Sequence, residues 1–499
     1  MLKFLSRWAL AALVPSVLAP AALAQPDPMT ASQDSWERAQ AEAVRRQAVE
    51  VRPQQARNVI LFIADGMSIP TISAGRIFLG EHTGAGESQT YVFEGFDQTA
   101  LVRTYNTDAQ VADSASTATA LVTGFKTRTG AVSVLASQGF EACAPGARFP
   151  SSLAELAERR GLATGVVSTA RLTHATPATM YAHSLSRNWE SDADLPEMAR
   201  DAGCQDIASQ LIAFAEGDGI EVAMGGGRRN FLPDGAGGER EDGRDLTAEW
   251  SGIVVQDRTA LMAVAADDDA PVLGLFNDDH MSYEADRAAT DEPSLAEMTR
   301  FAIDRLSRNP DGYVLMVEAG RVDHAHHITN AYRALTDMEA FNAAITTALD
   351  HVDLDETLVI ITADHGHTMT FAGYPARGNP ILGLVRRSNP FRPGSEPELT
   401  LDVTGRPYTT LGYRNGSNVR TPDSPALDEA DTVHPDYRQE VLVGLEDETH
   451  SGADVALYAT GPRSHWFSGS LEQNTIFHLI QGALGWQRDA GDSGESSQE

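Results

Sequence analysis

The chain has 499 residues, 42% of them hydrophobic, enough for a large core in one big domain or two. Seventy acidic against 38 basic side chains leave a formal charge of −32, which makes nucleic acid and anionic membranes poor partners. The same field would repel anionic substrates unless bound cations invert it locally.

In chain order, Lys3 and Arg7 precede an apolar run that ends in Ala22-Leu23-Ala24. Residues 1–24 therefore read as a cleaved secretory signal, because the run is short and broken by Pro15 and Pro20, unlike a spanning helix. Residues 25–57 are polar, with an amphipathic helix expected within 35–51, and form an N-terminal arm. From Asn58 strands alternate with helices. VILFIADGM (59–67) reads as a buried strand ending in Asp65. QVADSASTATALVTG (110–124) reads as a turn entering a helix. SSLAELAERRG (151–161) leads into a strand at 162–169, and residues 225–250 look like a surface excursion.

LAEMTRFAIDRLSRN (295–309) precedes the strand GYVLMVEAG, and TLVIITADHGH (357–367) is another buried strand. Residues 388–433, rich in Pro, Gly, Asn and Thr, read as an insertion, after which a buried strand returns within 448–461. This alternation predicts a three-layer α/β/α domain with a mostly parallel sheet over 58–485. The tail 486–499 is polar and lacks the hydrophobic end of a GPI signal. No membrane anchor is expected.

Three apolar strands each deliver carboxylate or imidazole at the carboxyl end, where open α/β sheets build their sites. They supply Asp65, then Glu318 with Asp323 and His327, then Asp364 with His365. A helical turn would point Asp323 and His327 the same way. Each residue alone could be a helix cap or a solvated loop side chain. Together, carboxylates without a cation would repel one another, so a polynuclear site is the better reading. Imidazole and carboxylate suit Zn²⁺, and oxygen alone suits Mg²⁺. Ser114 stands at a helix start, where N–H groups and the dipole favour an anion. Either Asp113 or Ser114 is simply the helix cap, or Ser114 is a nucleophile activated by metal.

The motifs IADGM, VADSASTATA, THATPATMYAHSLSRNW, VEAGRVDHAHH, TADHGHTMTFAGY and ETHSGADVA, in that order, resemble the alkaline phosphatases, most closely the branch with the animal enzymes. The resemblance runs from about Asn58 to Leu484. It implies a phosphomonoesterase with two zinc ions, one magnesium and a phosphoserine intermediate on Ser114. Asp323, His327 and His450 would hold the first zinc. Asp364, His365, Asp65 and the Ser114 oxygen would hold the second. Asp65, Thr176 and Glu318 would hold magnesium, and Arg187 would clamp phosphate with its guanidinium fork. His174 and His324, which mark the animal-like branch, would line the substrate pocket. The family's further calcium site would lack a carboxylate at Asn277 while keeping Glu292.

The resemblance also implies a homodimer with Tyr374 near the interface. In an exported chain Cys143 and Cys204 are free to join, and their positions resemble a bridged pair in that branch. The protein is expected in the periplasm or secreted, acting on small phosphate monoesters. Phosphodiesterases and sulfatases of the superfamily lack the arginine and use another nucleophile. A related mutase shares the metal core, but the signal and DSAST motif argue against it. A binding protein would have no use for Ser114 beside the zinc ligands.

Overall fold

A computed structural model describes residues 28–486 apart from Pro393 and Pro422, with side chains from Asp34 onward. The expected signal at 1–24 and the tail from 487 lie outside the described residues. In the arm, helix α1 spans Pro28–Gln47.

The central sheet begins with β1 (Asn58–Ala64) and β2 (Gln98–Arg103), followed by β3 (Ala163–Arg171), β4 (Val222–Gly226), β5 (Ile253–Val255) and β6 (Val272–Leu275). Then come β7 (Tyr313–Ala319) and β8 (Thr357–Thr362). Strands β9 (Met369–Phe371), β10 (Leu411–Gly416) and β11 (Val441–Gly444) form a separate three-stranded sheet. The chain then returns to the main sheet as β12 (Val455–Thr460) and β13 (Gly469–Glu472). The order across the large sheet is β13-β2-β12-β8-β1-β7-β3-β4-β6-β5. Every pairing in it is parallel except the two that β12 makes, with β8 and β2. The α/β fold with a mostly parallel sheet is therefore observed.

Every residue of β7 and β8 is buried, as is all of β1 after Asn58. Near-continuous apolar runs of this kind belong to parallel strands covered on both faces, each large apolar side chain contributing ~1.5–3 kcal/mol. The helices on the sheet include α2 (Ile69–Thr83), α3 (Ser114–Thr123) and a single turn, α4 (Ala175–Ala178). Farther on are α5 (Leu295–Leu306), α6 (Arg321–His327), α7 (Ala331–His351) and α8 (Thr475–Ala483). The start of α5 is fixed by a capping box: Ser294 Oγ takes the Glu297 N–H, and Glu297 returns its carboxylate to the Ser294 N–H at 2.9 Å. Among the described residues no helix is long and apolar enough to cross a membrane. Cys143 and Cys204 are joined in a disulfide.

Register sets up the site. Ile63 pairs with Glu318 on one side of β1 and with Thr362 on the other. Asp65, Glu318 and Asp364 consequently leave three adjacent strands at the same edge.

Candidate active site

The turn after β1 brings Asp65 in first. It passes through Gly66, whose φ of +75° suits glycine, and a Cβ there would meet the His367 ring at 2.4 Å. The Gly66 N–H donates to Asp364 Oδ1 at 3.1 Å, tying the ends of β1 and β8 together. His365 Nε2 lies 3.2 Å from Asp364 Oδ2, 3.4 Å from Asp65 Oδ1 and 3.0 Å from Ser114 Oγ. Ser114 is the first residue of α3, and Asp113 before it caps the helix, accepting from the Ser116 N–H.

A second group gathers around α6. Asp323 Oδ2 and His327 Nε2, one turn apart, are separated by 3.4 Å. His450 Nε2 stands 3.2 Å from His327 Nε2 and 3.5 Å from Asp323 Oδ1. Each histidine donates its other ring N–H to a backbone carbonyl, His327 to Glu448 at 2.6 Å and His450 to Ala112 at 2.8 Å. That pattern aims the Nε2 lone pairs inward, as in metal-ligating histidines. The spacings are also telling: ligands bonded at about 2.0–2.1 Å to tetrahedral zinc sit roughly 3.3 Å from one another. Both groups have these edges.

A third set lies between β1, β3 and β7. Both carboxylate oxygens of Asp65, Glu318 Oε1, Thr176 Oγ1 and His174 Nδ1 are buried without a hydrogen-bond partner. Glu318 keeps one bond, from Ser168 Oγ. So many orphaned buried polar atoms would be costly unless a cation satisfied the oxygens. Atoms of Asp65, His174 and Glu318 come within 4.8 Å of one another, as do those of Asp65, Asp323 and His365. The donors present fit two zinc-type sites and one oxygen-rich site.

Electrostatics point the same way. Burial, then the charges of Asp323, Asp364 and Glu318, push Asp65 well above the ordinary carboxylate range. Burial raises Asp364 and takes Glu318 to about 7. Asp323 is the exception, since His327 and His367 beside it outweigh burial and hold it well down. Burial first, then His450, holds His365 neutral.

Arg187 completes the constellation. Its Nη1 donates to Asp113 Oδ2 at 3.1 Å and its Nη2 to His174 Nε2 at 2.9 Å. His174 joins His324 and His280 in a trio of rings with centroids 4.0–5.3 Å apart. Their grouping resembles a further metal site. Each ring, however, takes a guanidinium hydrogen: His280 from Arg171 at 2.6 Å, His324 from Arg321 at 3.0 Å, and His174 from Arg187. Those bonds occupy the lone pairs a cation would need. Burial, with Arg321 second, lowers His324 to about 3, and burial with Arg187 lowers His174.

All the residues expected for metal, nucleophile and clamp meet at this edge of the sheet. Sequence reasoning missed His280, which carries no local signal, and the pair His367 and Glu448. His367 is fully buried, with Nε2 2.6 Å from Asp323 Oδ1 and Nδ1 against Glu448. Although burial opposes it, these two carboxylates raise His367 to about 10. The second histidine of DHGH was its only visible sign. At the suggested calcium position, Asn277 donates its amide to Glu292 at 2.6 Å and the Ser282 N–H donates at 2.8 Å. Glu292 thus already has partners.

A family model described as alkaline phosphatase matches residues 56–486. The tissue-nonspecific alkaline phosphatase of Gallus gallus is 38% identical, the match covering 89% of this chain and 88% of its own length. The solved alkaline phosphatase of Thermus thermophilus matches with a TM-score of 0.63 at 25% identity over 96% of each chain. A His-to-Glu variant of the enzyme from the Antarctic bacterium TAB5, with Mg bound in its M3 site, matches with a TM-score of 0.58 at 25% identity, covering 87% of this chain and all of its own.

Proposed function

The chain belongs to the alkaline phosphatase family and hydrolyses phosphate monoesters; from that premise we propose that the reaction runs through a phosphoserine on Ser114, with two zinc ions and one magnesium. The observation that carries this is the convergence at the start of α3. Ser114 Oγ lies 3.0 Å from His365 Nε2, and Arg187 is held by Asp113, the residue that caps the same helix.

Asp323, His327 and His450 would hold the first zinc. Asp364, His365, Asp65 and Ser114 would hold the second. Asp65, Thr176 and Glu318 would hold magnesium, the metal named for the M3 site of the His-to-Glu variant of the TAB5 relative. When bound, these ions supply Lewis-acid charge that lowers the pKa of a hydroxyl or water and offsets charge on the leaving oxygen.

The side chains do the rest. Ser114 Oγ attacks phosphorus, the ester P–O bond breaks, and the leaving alkoxide takes up a proton. Water then attacks the phosphoserine, releasing inorganic phosphate and restoring the hydroxyl. Throughout, the Arg187 fork pairs with two non-bridging oxygens, oriented by Asp113 and His174. The N–H groups at the start of α3 and its dipole favour the same anion. His324 borders the pocket beside His174.

The mature protein acts as an exported, periplasmic or secreted homodimer in this proposal. Tyr374 supports the dimer: it is 82% exposed, held at a φ of 59°, and its ring is covered by Arg387 at 4.7 Å. An aromatic presented this way suits an interface anchor. Sedimentation as a monomer at micromolar concentration would refute that part.

The deciding assay compares p-nitrophenyl phosphate with a bis-ester for wild type and Ser114→Ala, with and without Zn²⁺ and Mg²⁺. Monoester turnover should fall at least ~100-fold in the variant while phosphate still binds. Near-normal turnover, with no phosphoserine trapped at acid pH, would sink the covalent route.

A further inference from the structure

Behind the first zinc group runs a buried chain of hydrogen bonds that none of the roles above uses. Asp323 Oδ1 takes a ring N–H from His367 at 2.6 Å, far closer than the 3.5 Å from Oδ1 to His450 or the 3.4 Å from Oδ2 to His327. That contact is a hydrogen bond and not an edge between two metal ligands. The opposite nitrogen of the ring meets Glu448 Oε2. Glu448 is 1% exposed and His367 2%. The other oxygen of Glu448 accepts the Thr368 backbone N–H at 2.6 Å and the Thr368 hydroxyl.

We infer that Glu448 is a positioning residue for the first zinc, acting through His367 on Asp323; the inference rests on the three-metal reading above. The physical argument is one of constraint. Asp323 offers two oxygens that face different neighbours, and with no fixed donor on Oδ1 its carboxylate can rotate. The His367 ring supplies that donor, but a ring can swing. Glu448 stops the swing, since its carboxylate anchors the ring at Nδ1 and the Thr368 pair holds the carboxylate in turn. Charge-assisted bonds in a dry interior are strong and directional. Outer partners of metal ligands commonly govern affinity by 10- to 100-fold.

The same segment reaches the site twice more. The Glu448 carbonyl accepts from His327 Nδ1, and His450 follows two residues later. One short stretch therefore supplies a ligand, orients a second and braces a third. Thr368 also connects outward, since its hydroxyl and carbonyl both take the Arg414 N–H on β10, at 3.2 Å each. The small sheet is thereby pinned against the zinc site.

The test is Glu448→Gln, which keeps shape and removes the charge. Zinc retained per protein after dialysis against a graded zinc buffer reads the metal directly, and turnover is followed in parallel. Expected is a 10- to 100-fold weaker hold on one of two zincs, with the other unchanged. Added zinc should restore most of kcat, which it would not do for a misfolded protein. Thr368→Val, which removes the hydroxyl's bonds with Glu448 and Arg414 but keeps the backbone bonds to both, should shift zinc the same way by less, and it serves if Glu448→Gln does not fold. Two zincs held with wild-type affinity in these variants would overturn the inference. So would a loss of turnover that zinc does not restore. If wild type itself holds fewer than two zincs in the same dialysis, the three-metal reading fails and takes this inference with it.

Discussion

Asp113 holds Arg187 with one carboxylate oxygen and caps helix α3 with the other. Oδ2 lies 3.1 Å from the guanidinium, while Oδ1 accepts from the Ser116 N–H, the Ser116 hydroxyl and the Gly130 N–H. Burial would raise this carboxyl, but Arg187, Ser116 and Gly130 together keep it below the usual range. Asp113→Ala should cost about 1 kcal/mol of stability through the lost cap and should also raise KM. Asp113→Asn keeps a capping oxygen but turns an amide toward Arg187, so KM should rise with little change in melting. If the two variants change stability and KM in parallel, the two oxygens do not have separate tasks. Arg187→Ala should harm monoester hydrolysis more than diester hydrolysis, since a monoester carries three non-bridging oxygens and the higher charge for the fork to pair with, and a diester only two.

Chelation should abolish turnover and lower the melting temperature together. Asp65, Asp364 and Glu318 crowd one buried spot, and ions that bind only the folded state stabilise it by ~2.7 kcal/mol at a hundred times Kd. Zinc should return most of the rate, and magnesium should add to it. An EDTA-treated protein with unchanged melting would mean that the carboxylates manage without cations. Calorimetry before and after readdition reads this.

At the other end of β3, Glu158 is 2% exposed and bonded by the Thr164 hydroxyl, and its Oε2 has no partner. Burial pushes it up to about 8, and Glu221 nearby to about 7. A carboxyl raised on folding binds its proton more tightly in the folded state. Its contribution is therefore present below the unfolded value near 4.5 and is lost as pH climbs through 7 to 8. Glu158→Gln should be the more stable protein at pH 9, by on the order of 1 kcal/mol, and the gain should vanish near pH 5. Denaturant melts at both pH values check it, and a pH-independent difference would refute it.

Reducing the Cys143–Cys204 disulfide, whose partners are 61 residues apart in sequence, should destabilise the protein. The chain-entropy model sets about 4 kcal/mol as the upper range. Matched melts of wild type and the double serine variant measure it. Unchanged stability would mean that the fold alone holds residues 143–204 in place.

The alternation of apolar runs determined an α/β protein with a parallel sheet, because strands buried on both faces must be apolar throughout, and that pattern is local. The carboxylates and imidazoles at strand ends were legible for the same reason. Asp65, Glu318, Asp323, Asp364 and His365 each follow an apolar run, and parallel strands put all such ends at one edge. The sequence left open whether Asp113 or Ser114 caps α3. Backbone geometry decided it, placing Asp113 outside the helix with its oxygen on the Ser116 N–H and leaving Ser114 at the first turn facing His365.

The supporting shell was invisible in the sequence. His367 and Asp323 are 44 residues apart, His367 and Glu448 81 apart, and Arg171 and His280 109 apart. No periodicity encodes which distant side chain will complete a hydrogen bond. The small sheet of β9, β10 and β11 was hidden likewise, since it pairs short strands across a stretch rich in turn residues. Local pattern records which way a side chain faces. Its partner is chosen only when the whole chain packs and every buried donor must find an acceptor.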